Sequence, residues 1–214
     1  MKTALITGVS RGLGLALARA FAHSGWNTAG VARSSCTIPN VRTVKLDVRD
    51  EEAVTELIHS FERLDVVVNN AGIASQRPLL ETQTAELREI LETNVVAAFV
   101  VMRESARRMV EQGGGQIINI ASDASCMGIG NMAPYVGSKH ALLGIGRSVS
   151  LELRKHGVRV CTYCPGPIDT EILGKLSRNT DALKTEEIAR TIVHIAESPS
   201  EMEVQEMLVR PMKM

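Results

Sequence analysis

The sequence predicts one doubly wound α/β domain, about seven parallel strands in a single sheet with helices on both faces. Three observations predict it. Short apolar runs alternate with helical patterns from one end of the chain to the other, as repeated strand–helix–strand units do. Runs such as Val66-Val67-Val68 and Ile117-Ile118-Asn119-Ile120 are apolar on consecutive residues, which suits strands covered on both sides. The length of 214 residues, set against about 150 per domain, favours a single domain over 1–214, and 44% apolar residues can fill its core. Aromatics are only 3%, so that core is built from Ala, Val, Ile and Leu.

The first strand is expected over 3–7 and the first helix over 12–24, closed by Gly25 as its C-terminal cap. Strands over 28–32 and 43–46 follow, and Asp50 stands where it can cap a helix over 51–61. A strand over 65–69 leads to a long helix over 84–111. Gly113-Gly114-Gly115 then breaks the chain before a strand over 116–121. Pro134 sits at the start of a helix over 135–155, where a missing N–H costs nothing. After a strand over 158–163 comes an irregular stretch near 166–184, the natural place for a short substrate-covering lobe. A helix over 185–197 and a strand over 204–209 complete the pattern. No internal repeat, low-complexity tract or linker interrupts it.

Lys plus Arg (24) balances Asp plus Glu (24), so no net charge draws the chain to nucleic acid or to an anionic membrane. No apolar run approaches the roughly 20 residues that span a bilayer. A strand beginning at Thr3 leaves no room for a signal peptide, and the expected location is the cytoplasm. The four cysteines, Cys36, Cys126, Cys161 and Cys164, are too scattered for a disulfide scaffold. Cys161 and Cys164 form a CxxC inside a β-branched run, but residues i and i+3 of a strand point to opposite faces. Buried structural thiols are the reading favoured over a metal or redox pair. The five histidines show no ligand spacing, and no metal site is expected.

Thr7-Gly8-Val9-Ser10-Arg11-Gly12-Leu13-Gly14 follows the first strand directly and opens the first helix. Glycine at such a turn takes positive φ and lets the backbone approach a ligand closely. The helix N-terminus beyond it offers free N–H groups and a positive dipole end to a pyrophosphate. Tight turns alone also use glycine; the strand before and the helix after favour a nucleotide. In a dinucleotide-binding sheet the end of the second strand faces the adenosine ribose, where an acid suits NAD and an arginine the 2′-phosphate of NADP. Here the strand ends Val31-Ala32-Arg33-Ser34, with no acid. Arg33 and Arg11 can converge on one phosphate; two solvated surface arginines are the alternative. NADP is the expected cofactor, ahead of NAD.

These features resemble the short-chain dehydrogenase/reductase family, with its Rossmann-type fold, over nearly the whole chain. The resemblance is carried by the loop from Thr7 to Gly14, by Asn69-Asn70-Ala71-Gly72 after the fourth strand, and by Asn94 in the third helix. It continues with Ser122 after the fifth strand, Tyr135-Val136-Gly137-Ser138-Lys139, and Pro165-Gly166 after the sixth. A YxxxK by itself is a common accident. All six in order, each in its expected strand or helix position, are not.

The resemblance implies Tyr135 as the catalytic acid or base, Lys139 as its partner, Ser122 orienting the substrate oxygen and Asn94 supporting a proton-relay water. It implies cofactor contacts from Gly8, Ser10, Arg11, Gly12, Leu13 and Gly14 in the loop and from Arg33 at the ribose. Asp47 and Val48 would lie beside the adenine, and Asn70, Ala71 and Gly72 on the adenosine side. Tyr135 and Lys139 would touch the nicotinamide end, with Pro165, Gly166, Ile168 and Thr170, the last and Ile168 closing over the carboxamide. A homodimer or homotetramer packed through the helices at 84–111 and 135–155 is also implied. Arg103, Arg107 and Arg108 either join such an interface or form a solvated helix face. Two departures stand out: the chain is shorter than most members after Pro165-Gly166, and its last strand reads Met207-Leu208-Val209-Arg210-Pro211 where the family ends Asp-Gly-Gly.

The chemistry of these residue types suits the role. A hydride passing between a nicotinamide and a carbon needs a matched proton on the oxygen, and the protein supplies that proton and the geometry. A free tyrosine, with a pKa near about 10, is a poor base at neutral pH, and an ammonium nearby favours its phenolate. Tyr135 and Lys139 are four apart on a predicted helix and share a face. Ser122 lies at the C-terminal end of a parallel strand, the edge where such sheets bind ligands, and can hold the substrate oxygen near the phenol.

Cys126, Met127, Ile129 and Met132 between Ser122 and Tyr135 suggest a largely apolar, adaptable pocket wall, with ordinary loop packing as the alternative. The expected activity is NADP-dependent reduction of an aldehyde or ketone to an alcohol, or the reverse. The alternative is an NADPH-binding regulatory or sensor protein with little turnover, and a third reading is an interaction protein with a decayed site.

Overall fold

The computed structural model describes residues 1–170, 172 and 182–212. The elements follow in the order β1 (Thr3–Thr7), α1 (Gly12–His23), β2 (Asn27–Ala32), β3 (Val41–Lys45), α2 (Glu51–His59) and β4 (Val66–Asn69). Then come α3 (Thr84–Leu91), a π-helical turn (Glu92–Val96), α4 (Ala97–Glu111), β5 (Gly115–Ile120), α5 (Ala133–Leu153), β6 (Val158–Pro165), α6 (Thr185–Ala196) and β7 (Glu206–Val209). The seven strands pair in the order β3-β2-β1-β4-β5-β6-β7, every pair parallel. The lobe expected near 166–184 lies mostly outside the described residues.

The consecutive apolar residues of the strands serve two cores. Leu5, Val67, Ile117 and Val160 pack with α2, α4 and α5 on one face. Their neighbours Ile6, Val68, Ile118 and Cys161 pack with α1 and α6 on the other. The same alternation separates Cys161 from Cys164. Both thiols are buried, and burial pushes them up to about 12 and about 11, so they are inert packing groups rather than a chelating pair.

The expected caps are present. Gly25, at φ +80, ends α1 with Trp26 N donating to Phe21 O (3.1 Å) and Gly25 N to Ala22 O (3.2 Å). The rings of Phe21 and Trp26 meet edge to face at 5.3 Å, the apolar contact that completes this kind of helix end. Asp50 caps α2 by accepting from Ala53 N at 3.1 Å.

One element differs from expectation. The helix expected over 84–111 is broken into α3 and α4 by the π turn. The cause is Asn94, whose buried side chain is bound to another segment instead of following the helix face. Arg103 and Arg107, farther along, both bind Glu104, a carboxylate only 1% exposed on α4, while Arg108 donates to the carbonyls of Phe61 and Glu62.

Candidate active site

The sheet order reverses between β1 and β4, the switch point at which sheets of this kind form their binding crevice, outside the C-terminal ends of the strands. The glycine loop forms one lip. Gly8 and Gly12 hold φ of +76 and +56, and Gly8 N and Val9 N donate to Val31 O at 2.8 and 3.1 Å. No side chain caps α1 and its first turn has no acid, so that helix end keeps its donors and its positive dipole end. The other lip is tied down by Thr7. Its hydroxyl accepts from Asn70 N (3.0 Å) and Ala71 N (2.9 Å), and Asn70 Nδ2 returns a bond to Thr7 O (2.9 Å).

The loop is folded tightly on itself: a Cβ at Gly14 would lie 2.0 Å from Gly8 O, and one at Gly8 2.9 Å from Ala71 Cα. These glycines make a backbone-lined cradle beside an uncapped helix end, which fits the pyrophosphate of a dinucleotide. Ser10 is exposed, while the side chain of Leu13 belongs to the core, leaving its backbone to the cradle.

Arg11 and Arg33 are both exposed, and among the described residues neither guanidinium makes a hydrogen bond or an ion pair. Since β1 and β2 are neighbours, both stand at one sheet edge. Asp47 is gripped by Arg49 through contacts of 2.6 to 3.1 Å. The Arg49 hydrogen bonds, helped by the charge of Arg33, hold its carboxyl below the ordinary range. The side chain of Val48 packs in the core, so its backbone is what faces the edge.

The second group of residues gathers around the N-terminal half of α5. Asn94 Oδ1 accepts from Ile73 N and its Nδ2 donates to Ile73 O, both at 2.8 Å, and Nδ2 also reaches Ser138 Oγ at 3.0 Å. Ser138 Oγ donates to Tyr135 O at 2.7 Å. Gly72 lies against this pair: a Cβ there would meet Asn94 Oδ1 at 3.2 Å and Lys139 Nζ at 3.7 Å. Lys139 is 5% exposed, donates to Ile120 O at 2.9 Å and sits 5.7 Å from the centre of the Tyr135 ring.

Ser122 lies two residues past the end of β5, and its hydroxyl faces the Tyr135 phenol closely enough to favour phenolate. The same hydroxyl donates to Asp123 Oδ1 (3.1 Å) and accepts from Ala124 N (3.1 Å). The structure thus brings Asn94, Ser122, Tyr135 and Lys139 together at the edge that carries the cradle.

The electrostatics differ from the sequence expectation in sign. Burial pushes the Tyr135 phenol up, Asp123 adds to the rise, and the Ser122 hydroxyl only partly offsets them. Lys139, four residues along α5, spends its ammonium on the Ile120 carbonyl, and burial lowers it to about 8. For both groups desolvation is the largest cause, and it disfavours the charged form.

Pro165 ends β6, and Gly166 N donates to Val209 O at 2.7 Å. Ile168 bridges Leu183, and the side chain of Thr170 lies over Gly12, 3.4 Å from where a Cβ would stand. Of the expected pocket wall, Met132 is buried, whereas Cys126, Met127 and Ile129 are exposed.

Sequence reasoning missed two residues here. Asp123 touches Ser122, and Arg210 reaches both Asp123 (Nε to Oδ2, 3.5 Å) and Met127 (Nη2 to Sδ, 3.1 Å). The departure at the end of the last strand was the available signal, and the wall it flagged is charged rather than purely apolar. A surface groove beside Arg154, Gly157 and Glu203, at the start of β6, lies at the opposite edge.

A sequence profile described as short chain dehydrogenase matches residues 2–181. The chain is 35% identical over 203 residues to the 3-oxoacyl-acyl-carrier-protein reductase MabA of Mycobacterium avium, covering 92% of this chain and 80% of that one. Among solved structures, ElxO with NADP bound superposes with a TM-score of 0.88 at 27% identity, over 98% of this chain and 96% of that one. An alcohol dehydrogenase from the archaeon Thermococcus sibiricus, complexed with 5-hydroxy-NADP, gives 0.89 at 28% identity, over 100% and 98%.

Proposed function

This chain belongs to the short-chain dehydrogenase/reductase family, oxidoreductases that bind NAD(P), and from that premise we propose that it is an NADPH-preferring carbonyl reductase with Tyr135 as its proton donor. One observation carries the reading: Ser122, Tyr135 and Lys139 meet at the sheet edge that holds the glycine cradle. One catalytic domain over 1–214 would contain both halves of the site, with a short lobe near 166–184 over the substrate.

The dinucleotide would be held by the backbone of Gly8, Ser10, Gly12, Leu13 and Gly14 at its phosphates. Asp47, Val48 and Asn70 to Gly72 would border the adenosine, and Pro165, Gly166, Ile168 and Thr170 the nicotinamide end. When bound, the nicotinamide supplies the hydride, or takes it up in the reverse direction. Tyr135 Oη gives its proton to the substrate oxygen, and a phenol pushed up by burial suits a donor at neutral pH better than a base. Ser122 Oγ holds that oxygen beside the phenol. Lys139 Nζ, lowered to about 8, is close enough to neutrality to resupply the proton, and Asn94 fixes the turn that supports it.

The preference for NADPH rests on Arg11 and Arg33, exposed, without a side-chain partner among the described residues and at one edge, where two guanidiniums suit a 2′-phosphate. NADP in ElxO and 5-hydroxy-NADP in the Thermococcus enzyme agree with it. Phe99 on α4 and Leu151 on α5, 42% and 69% exposed, favour a homodimer or homotetramer through these helices.

The test is loss of NADPH absorbance across a panel of aldehydes and ketones, with NADH and Tyr135→Phe in parallel. Turnover that needs NADPH and disappears in Tyr135→Phe is expected. Turnover surviving in Tyr135→Phe would overturn the assignment of the proton donor.

A further inference from the structure

We propose that Arg210, delivered by the last strand, is a positioning residue for proton transfer: it neutralises Asp123, so that the Ser122 hydroxyl and the Tyr135 phenol work beside a closed ion pair rather than a bare carboxylate. The proposal deepens the reading of Tyr135 as proton donor and rests on it.

The contacts run from the end of β7 to the Ser122 hydroxyl. Arg210 follows β7, whose Val209 carbonyl is bound by Gly166 N at 2.7 Å. Its side chain then crosses Gly166, where an added Cβ would lie 3.3 Å from Arg210 Cγ. Arg210 Nε is buried, makes no hydrogen bond among the described residues, and faces Asp123 Oδ2 at 3.5 Å. Its Nη2 rests on the Met127 thioether at 3.1 Å, a weak acceptor. A guanidinium with such poor hydrogen-bond partners is held there by charge, and the charge it faces is Asp123. The other carboxylate oxygen, Oδ1, accepts from the Ser122 hydroxyl at 3.1 Å, and both residues act on the Tyr135 phenol, Ser122 lowering it and Asp123 raising it.

A bare carboxylate at this spot does two kinds of harm. It keeps the Ser122 hydrogen in a charge-assisted bond, withholding it from a substrate oxygen. It also sits, 7% exposed, near a phenol that burial already keeps protonated, and a negative charge that disfavours phenolate still more makes that donor a weaker acid. Pairing with Arg210 weakens both effects. The phenol is faced by Lys139 from its own helix, by Asp123 from the turn that follows β5 and by Arg210 beyond it. Cys126 lies exposed in the same loop, Cys164 stands behind Lys139, and the π turn packed on α5 contributes Asn94, which is uncharged.

The experiment compares the natural chain with Arg210→Met, Asp123→Asn and the double variant. Ionisation of the phenol is read as tyrosinate absorbance directly after a pH jump. Tyr135→Phe gives the baseline, since the chain has two tyrosines and the other is the buried Tyr163. The midpoint should rise by about one pH unit in Arg210→Met, fall by about as much in Asp123→Asn, and return towards the natural value in the double variant. Arg210→Lys, which keeps the charge, should stay near the natural chain. Equal midpoints in all the variants, or a double variant no nearer the natural value than either single one, would overturn the proposal even if turnover falls. A natural chain that reduces no carbonyl would defeat the reductase reading, while the titration would still decide this one.

Discussion

A Cβ on Gly14 would stand 2.0 Å from the carbonyl oxygen of Gly8: the two ends of the glycine loop touch backbone to backbone. Neither partner of that contact can yield, since both are main chain. Gly14→Ala should therefore cost about 2–3 kcal/mol of stability in urea unfolding, as overpacked sites do. It should also weaken NADPH binding at least roughly tenfold by opening the loop, a loss of about 1.4 kcal/mol, measured by nucleotide fluorescence. An unaltered affinity would show that the cradle is not the phosphate site.

Lys139 ties the proposed chemistry to stability. Burial lowers it from 10.5 to about 8, so between those pH values the unfolded chain holds a proton that the folded chain has lost. Stability due to this group therefore rises with pH across that window. At about 1.4 kcal/mol per pH unit, the rise is on the order of 3 kcal/mol. Lys139→Met should abolish it and, with it, turnover. The measurement is the difference in urea stability between the two proteins from pH 7 to 10.5. Cys161 and Cys164, raised from 9.0 to about 12 and about 11, act in the opposite sense; Cys161 cancels in that difference, and Cys164, which interacts with Lys139, is removed from it by replacing Cys164 with Ala in both proteins.

Arg33→Ala should raise KM for NADPH by about 10- to 100-fold, the worth of one or two charge-assisted hydrogen bonds, and leave KM for NADH nearly unchanged. The same loss for both cofactors would return Arg33 to the solvated surface.

Asn94→Ala removes two hydrogen bonds to Ile73 and one to Ser138, leaving buried backbone groups unpartnered. A destabilisation of about 2–4 kcal/mol is expected, read as a lower urea midpoint. A neutral effect would mean that the π turn stands without its asparagine.

The layers of the fold were legible because strands covered on both faces must be apolar on successive residues, and Val66 to Val68 and Ile117 to Ile120 are. Gly25, Asp50 and Pro134 marked helix ends for local reasons that tertiary packing did not override. The π turn was not legible, since nothing in the spacing from Thr84 to Glu111 distinguishes a helix with an inserted residue from a continuous one. Only the polar Asn94 in an apolar stretch hinted at it. For the site, chain order and residue type were sufficient to bring Ser122, Tyr135 and Lys139 together. The balance of burial against charge on the phenol and the ammonium depends on distances, and no spacing encodes it. Asp123 and Arg210 lie 87 residues apart in sequence (210 minus 123) and meet only because β7 joins the sheet beside β6.

The crevice between β1 and β4 has a consequence for how the chain comes to be competent. Its lips, Thr7 and Asn70, are 63 residues apart, and the strands made between them, β2 and β3, lie on the far side of β1. A nascent chain that has completed three strands therefore owns a glycine loop with no opposing wall. The binding edge comes into being in one step, when β4 docks. A dinucleotide spanning that edge would act as a clasp across the central seam of the sheet, adding its binding free energy to a long-range contact that the backbone alone closes slowly.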